Sequence, residues 1–152
     1  MFLSVFDMFK IGIGPSSSHT MGPMVAAKRF LQSLKNSPFN FSGIRVTLYG
    51  SLAFTGKGHS TDRAVILGLA GFAPENYDHE ASEKILQEIS NKKFIKSNHL
   101  GKLSFSPQTD LKFDYGAPLE GHPNGLIFMG LDDRGDVLLQ ETYYSLLGEA
   151  LF

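Results

Sequence analysis

The sequence predicts a single α+β domain of two layers, with helices packed on one face of a mixed or antiparallel sheet. Three observations carry that expectation. At 152 residues the chain has the size of one domain. Its 42% apolar residues are enough for a core. Three stretches have helical periodicity, and much of the remainder alternates as strands do. Helices mixed with antiparallel strands favour one sheet with a helical cover.

The first helix is predicted over Met21–Asn36, where Met24, Ala27, Phe30, Leu31 and Leu34 form one apolar face. Thr20 is placed to cap it, and Pro23 suits its first turn. Ile44, Val46 and Leu48 alternate with Arg45 and Thr47 up to Gly50, the pattern of a half-buried strand. A second helix is expected from about Ser60 to Leu69, almost wholly apolar after Ser60, Thr61 and Asp62 and therefore well buried. The third, Asp78 to Asn91, has Asp78 as its cap and a stripe of Ala81, Ile85 and Ile89. Glu80 with Lys84 and Glu88 with Lys92 are spaced to pair on its exposed side. Leu103 with Phe105, and Leu111 with Phe113, indicate two short strands. Gly125–Asp132 and Asp136–Leu146 flank Asp133, Arg134 and Gly135 as a hairpin.

Composition removes several function classes. With 14 basic against 15 acidic residues the net charge is −1, so there is no electrostatic footprint for nucleic acid or an anionic membrane. The chain has no cysteine, which excludes disulfides, thiolate metal sites, cluster ligation and a cysteine nucleophile from it. No apolar run reaches a membrane span, and the first residues lack the pattern of a signal peptide, so a soluble cytoplasmic protein is expected.

Three loops hold residues suited to chemistry. Ile11–Thr20, IGIGPSSSHT, brings Ser16, Ser17, Ser18 and His19 to a helix N-terminus, where hydroxyls, backbone N–H groups and the helix dipole favour a carboxylate or phosphate. It is not a dinucleotide fingerprint, because Ser17 stands where the third glycine is required. Gly50–Asp62, GSLAFTGKGHSTD, resembles a phosphate loop, but five residues separate Gly50 from Gly56 and Gly58 follows Lys57. What remains is a glycine-bounded segment that carries Lys57 and His59 towards a helix N-terminus. The positive end of a helix disfavours imidazolium, which suits a histidine to act as a general base; a plain surface histidine is the alternative. Glu120–Gly125, EGHPNG, is a turn by its Asn124-Gly125 pair, and a turn explains everything in it except His122. His79 and His99 have no comparable setting.

Taken together, SVFDMFKIGIGPSSSHTMGPMVAA at Ser4–Ala27, LYGSLAFTGKGHSTDRAVILGL at Leu48–Leu69, GHPNG at Gly121–Gly125 and ETYYS at Glu141–Ser145 resemble the N-terminal β domain of bacterial iron–sulfur-dependent L-serine dehydratases. The likeness spans nearly the whole chain, residues 1–152 being read as one such domain; only Leu146–Phe152 departs from it. The resemblance implies a fold similar to the allosteric substrate-binding domain. It also implies an L-serine ammonia-lyase that makes pyruvate and ammonia with a [4Fe-4S] cluster. That cluster is ligated by an α domain or α subunit, outside this chain, and this chain has no metal ligands of its own.

On this resemblance His59 is the candidate α-proton base, and His19 a second polar group or the alternative base. Ser16, Ser17 and Ser18 would bind the substrate carboxylate, with Lys57 as a supporting charge. His122 and Asn124 are candidates for an allosteric ligand, a second serine or other small carboxylate. The partners implied are L-serine, the α domain and a second copy of the chain, as a dimer. Two functional classes follow: part of a shared active site, inactive alone, or a regulatory serine-binding and dimerisation module without catalytic residues. An independent hydrolase or phosphate-binding protein built on SSSHT is disfavoured by the failed nucleotide motifs.

Overall fold

The computed structural model describes residues 20–55, 60–73, 75, 78–97, 99–120, 122–146 and 149–151. Helix α1 is Met21–Asn36 and strand β1 Gly43–Tyr49, as the sequence predicts. They are followed by a short helix α2, Ser51–Thr55, then α3, Thr61–Leu69, and α4, His79–Lys92. The hairpin β2, Phe94–Ser97, and β3, Gly101–Ser104, comes next, and α5, Pro107–Asp110, leads into β4, Leu111–Asp114. The strands β5, Gly125–Leu131, β6, Val137–Leu146, and β7, Glu149–Leu151, complete the order.

All seven strands join one mixed sheet in the order β2-β3-β1-β5-β6-β7, with β4 also on β1. β3 and β4 share one edge of β1, both parallel to it: Ser104 lies opposite Gly43, and Leu111 to Asp114 lie opposite Val46 to Tyr49. On the other edge β5 is antiparallel, from Gly43–Leu131 to Leu48–Leu126. The β5–β6 hairpin turns where expected. Asp132 holds that turn, its side chain accepting from the N–H groups of Arg134 and Asp136, both at 2.9 Å.

One face of the sheet is the core. Ile44, Val46 and Leu48 are fully buried while Arg45, Thr47 and Tyr49 between them are only partly covered, the period-two alternation of a sheet packed on one side. α1 supplies the opposing surface. Met24, Ala27, Phe30, Leu31 and Leu34 are all buried, and the Phe30 ring stacks on Phe128 of β5 at 5.1 Å. Burying the methionine, phenylalanine and leucine side chains contributes about 1.5–3 kcal/mol each. The N-terminal half of α1 is buried more completely than a single stripe requires. Val25 and Ala26 are covered as well, and α3 packs against this half of the helix through Met24 and Ala27.

Some local expectations fail. Thr20, Ser60 and Asp78 stand at the N-caps of α1, α3 and α4, yet none makes a side-chain capping bond, and Ser60 is in the left-handed region at φ 60°. On α4 only Ser82 and Ile89 are buried, so Ala81 and Ile85 are at the margin of the core. Lys92 pairs with Glu88 at 3.2 Å, whereas Glu80 and Lys84 form no ion pair. Arg63 instead joins Glu83, clamping α3 to α4.

Candidate functional site

The direction of the chain through the helices decides where the predicted motifs meet. Met24 packs with Ala64 and Leu67, Gly68 lies against Met24 and Ala27, and further along Leu31 and Lys35 share a cleft with Leu69 and Ala70. Both helices therefore advance in the same direction. Their starts, Thr20 and Thr61, mark one end of the pair. The short link from Asn36 to Gly43 turns α1 back against β1, so this is also the end at which β1 terminates in Gly50.

Register brings the rest of the sheet to that end. Asp114 is opposite Tyr49, Leu126 opposite Leu48, and Tyr144 opposite Gly125. The segments GS at Gly50–Ser51, GHPNG and ETYYS thus converge. Contacts join them directly: the Ser51 N–H donates to the Pro123 carbonyl at 2.8 Å, the Ser145 N–H to the Asn124 carbonyl at 2.9 Å, and the Tyr144 hydroxyl to the Glu120 carbonyl at 2.7 Å.

Within the GHPNG turn the N–H of Asn124 donates to Nδ1 of His122 at 3.0 Å. A nitrogen that accepts carries no proton, so the neutral ring bears its hydrogen on Nε2, which is left as a donor. The Asn124 side-chain oxygen is buried with no hydrogen-bond partner. A buried carbonyl without a donor costs about 1–3 kcal/mol, and a ligand donor would recover it.

Thr61, read from the sequence only as part of a helix start, is a second such position. It is fully buried and its hydroxyl oxygen has no partner. It sits in the first turn of α3, where the N–H groups of residues 61–63 precede the first intrahelical bond, Ala64 N–H to Ser60 O at 3.0 Å. A buried hydroxyl in the first turn of a helix, at its positive end, suits a carboxylate. The signal in the sequence was the STD triplet, whose helix-starting role concealed any other.

His122 and Asn124 are therefore brought together, and the start of the Gly50–Asp62 segment is joined to them. Ser16, Ser17, Ser18, His19, Lys57 and His59 lie outside the described residues; the residues that flank them, Thr20, Thr55 and Ser60, belong to this same end. Among the described residues no group of three or more histidine, aspartate or glutamate side chains is arranged to hold a metal ion, and no helix is long and apolar enough to cross a membrane.

Comparison with known proteins agrees with the motifs. The family description "Serine dehydratase beta chain" matches residues 4–150. The L-serine dehydratase of Helicobacter pylori (strain ATCC 700392 / 26695) is 42% identical over 145 residues, covering 95% of this chain and 32% of that protein. The one from Haemophilus influenzae is 42% identical over 149 residues, 96% of this chain and 32% of its own length. L-serine dehydratase 2 of Escherichia coli is 41% identical over 150 residues, again 96% and 32%. The chain thus spans about a third of the length of the curated relatives it matches. With the family description matching residues 4–150, the chain belongs to the serine dehydratase beta chain family.

Proposed function

We propose that this chain is the β part of an L-serine dehydratase and contributes the proton-transfer and carboxylate-binding half of a shared active site. The supporting observation is the common end of α1 and α3, where a buried hydroxyl without a partner, that of Thr61, accompanies the anchors of both motif loops. A [4Fe-4S] cluster does not fit this chain as its ligand set, since the chain has no cysteine. In this reading the α domain holds the cluster, and the chain alone does not turn over serine.

In this reading the chain's own residues divide the work. His59, two residues before α3, removes the Cα proton of L-serine. Ser16, Ser17 and Ser18, with Thr61 and the α3 N-terminus, bind and orient the carboxylate, and Lys57 adds positive charge. His19 is a second polar group or the alternative base. Phe54 and Tyr115, 63% and 55% exposed, pack edge to face at 5.4 Å. Phe54 is in α2, which follows Gly50, and Tyr115 follows Asp114. Paired exposed aromatics at this end suit a surface that another domain covers.

The test is pyruvate formation from L-serine by the chain with and without an anaerobically reconstituted α domain. Turnover is expected only with both. In the complete enzyme, removing a general base costs about 10²- to 10⁴-fold in rate. Near wild-type turnover by His59→Ala would eliminate that assignment.

The unpartnered Asn124 oxygen and the Nε2 donor of His122 favour a second, compatible reading: the GHPNG turn binds a regulatory serine or similar small carboxylate. His122→Ala and Asn124→Ala are then expected to alter cooperativity more than limiting rate. Unchanged sigmoidicity in both would count against regulation here.

A further inference from the structure

The two helices that start at the motif end finish together in a cleft of about 220 Å³. Leu31 and Leu69, both buried, form its apolar floor. Its exposed rim carries Lys35, from the last turn of α1, with Lys96, Ser97 and His99 from the β2–β3 hairpin. Lys35 is 15 residues beyond Thr20, about 22 Å along a helix, so the cleft is separate from the candidate active site.

The charge around it is one-sided. Between Glu88 and Asp110 the chain carries Lys92, Lys93, Lys96, His99 and Lys102 and no acidic residue, in a protein whose net charge is −1. Lys96 and Lys102 are directly opposite in the β2–β3 register, and like charges so placed destabilise a hairpin. Lys102 lies over the Phe94 ring at 4.6 Å. The adjoining hollow brings one carboxylate near Lys96, that of Glu88, but Lys92 takes it at 3.2 Å. Among the described residues the side chains of Lys35, Lys96 and His99 have no partner. The helix dipole accounts for Lys35 in a last turn, but not for Lys96 or His99. Nor does α3 offer free negative charge here, because the N–H groups of Ala70, Gly71 and Phe72 fold back on the carbonyls of Ile66, Leu67 and Gly68.

A compact dianion would offset this surplus. We propose that the cleft binds a phosphate group, free or as a monoester, with Lys35 and Lys96 supplying charge and the Ser97 hydroxyl and a His99 ring N–H supplying directed donors. Their convergence on a small cleft suits the clustered oxygens of one phosphate better than the two separated ends of a dicarboxylate. Bound there, the ligand ties the hairpin to the end of α1 and stabilises the fold, since only the native form has the cleft. The proposal does not depend on the catalytic reading.

The test is a titration of the full chain at constant ionic strength, read by backbone amide chemical shifts and by the thermal midpoint. The probes are inorganic phosphate, glycerol 3-phosphate, succinate and acetate. Phosphate or its ester is expected to shift Lys35, Ala70, Ser97 and His99 in a saturable way and to raise the midpoint, and the tighter of the two identifies the form preferred. Lys35→Gln and Lys96→Gln, both at exposed positions, are each expected to weaken that binding by about tenfold. Lys112→Gln, exposed on β4, removes the same charge and is expected to leave it unchanged. Succinate or acetate binding as tightly as phosphate, an equal loss in all three variants, shifts confined to residues 120–125, or no saturable shift would each overturn the proposal. The wild-type shift map is decisive even if a variant folds poorly.

Discussion

The backbone N–H of Ser51 and the carbonyl oxygen of Pro123 are 2.8 Å apart, and that one bond fastens the exit of β1 to the turn before β5. Seventy-two residues of sequence separation are closed by it. Gly50 makes the approach possible. At φ +58° it is in the left-handed region, and a Cβ there would collide with the Pro123 carbonyl and come within 3.1 Å of Pro118 Cβ.

Gly50→Ala is therefore expected to be destabilising through two effects. Left-handed backbone costs a non-glycine residue about 1–2 kcal/mol, and overpacking against a fixed carbonyl adds about 1–3 kcal/mol. Gly135→Ala is the internal comparison. It has φ +85° but nothing within 4 Å of the added carbon, so only the first effect applies. Urea midpoints should fall further for Gly50→Ala; equal losses would mean that the contact with Pro123 is unimportant.

A second close approach sets the spacing of the helices that carry the motif loops. An added Cβ on Gly68 meets the Met24 carbonyl and comes within 2.8 Å of the Ala27 Cβ. Alanine improves helix propensity by about 1 kcal/mol over glycine, but packing strain of about 1–3 kcal/mol opposes it. Gly68→Ala is expected to lower the thermal midpoint. A raised midpoint would show that α1 and α3 can separate without strain.

What the sequence revealed of this fold was its local periodicity. The stripe on α1 and the alternation of Ile44, Val46 and Leu48 predicted burial because each repeats at the period of its own element. β2 was missed for the same reason in reverse: in its four residues only Ile95 is buried, too short a pattern to show a period. The parallel pairing of β1 with β3 and β4 depends on partners distant in sequence, so no local signal announces it. The same holds at the candidate site. EGHPNG was legible as a turn, but its bond to Ser51 and the stranded Asn124 oxygen arise only from tertiary packing.

The packing of α1 on the sheet should be most sensitive at Phe128. This side chain is fully buried, stacked on Phe30 at 5.1 Å and edge to face with Tyr143 at 5.6 Å. Truncating a buried phenylalanine costs about 3–5 kcal/mol, so Phe128→Ala should leave much of a typical domain's stability lost. Denaturant unfolding measures it. A loss below about 1 kcal/mol would mean that the neighbouring rings collapse into the space.

Tyr143 makes a prediction about alkaline stability. Burial, chiefly, and the adjacent Glu141 raise its pKa above the ordinary value of 10.0. The folded chain therefore holds this proton more tightly than the unfolded chain does. Stability from this source is complete below about pH 10 and declines as pH rises above it, because the unfolded state then loses a proton that the folded state keeps. Tyr143→Phe removes the titration and the hydrogen bond to Glu141. Near pH 8 it is expected to cost about 1 kcal/mol, the net value of such a bond. Between about pH 10 and pH 11 the wild type should lose stability faster than the variant, so that their urea midpoints approach one another. Lysines titrate in both proteins and largely cancel in the comparison. Midpoint curves that stay parallel through this range would show that Tyr143 ionises as readily folded as unfolded.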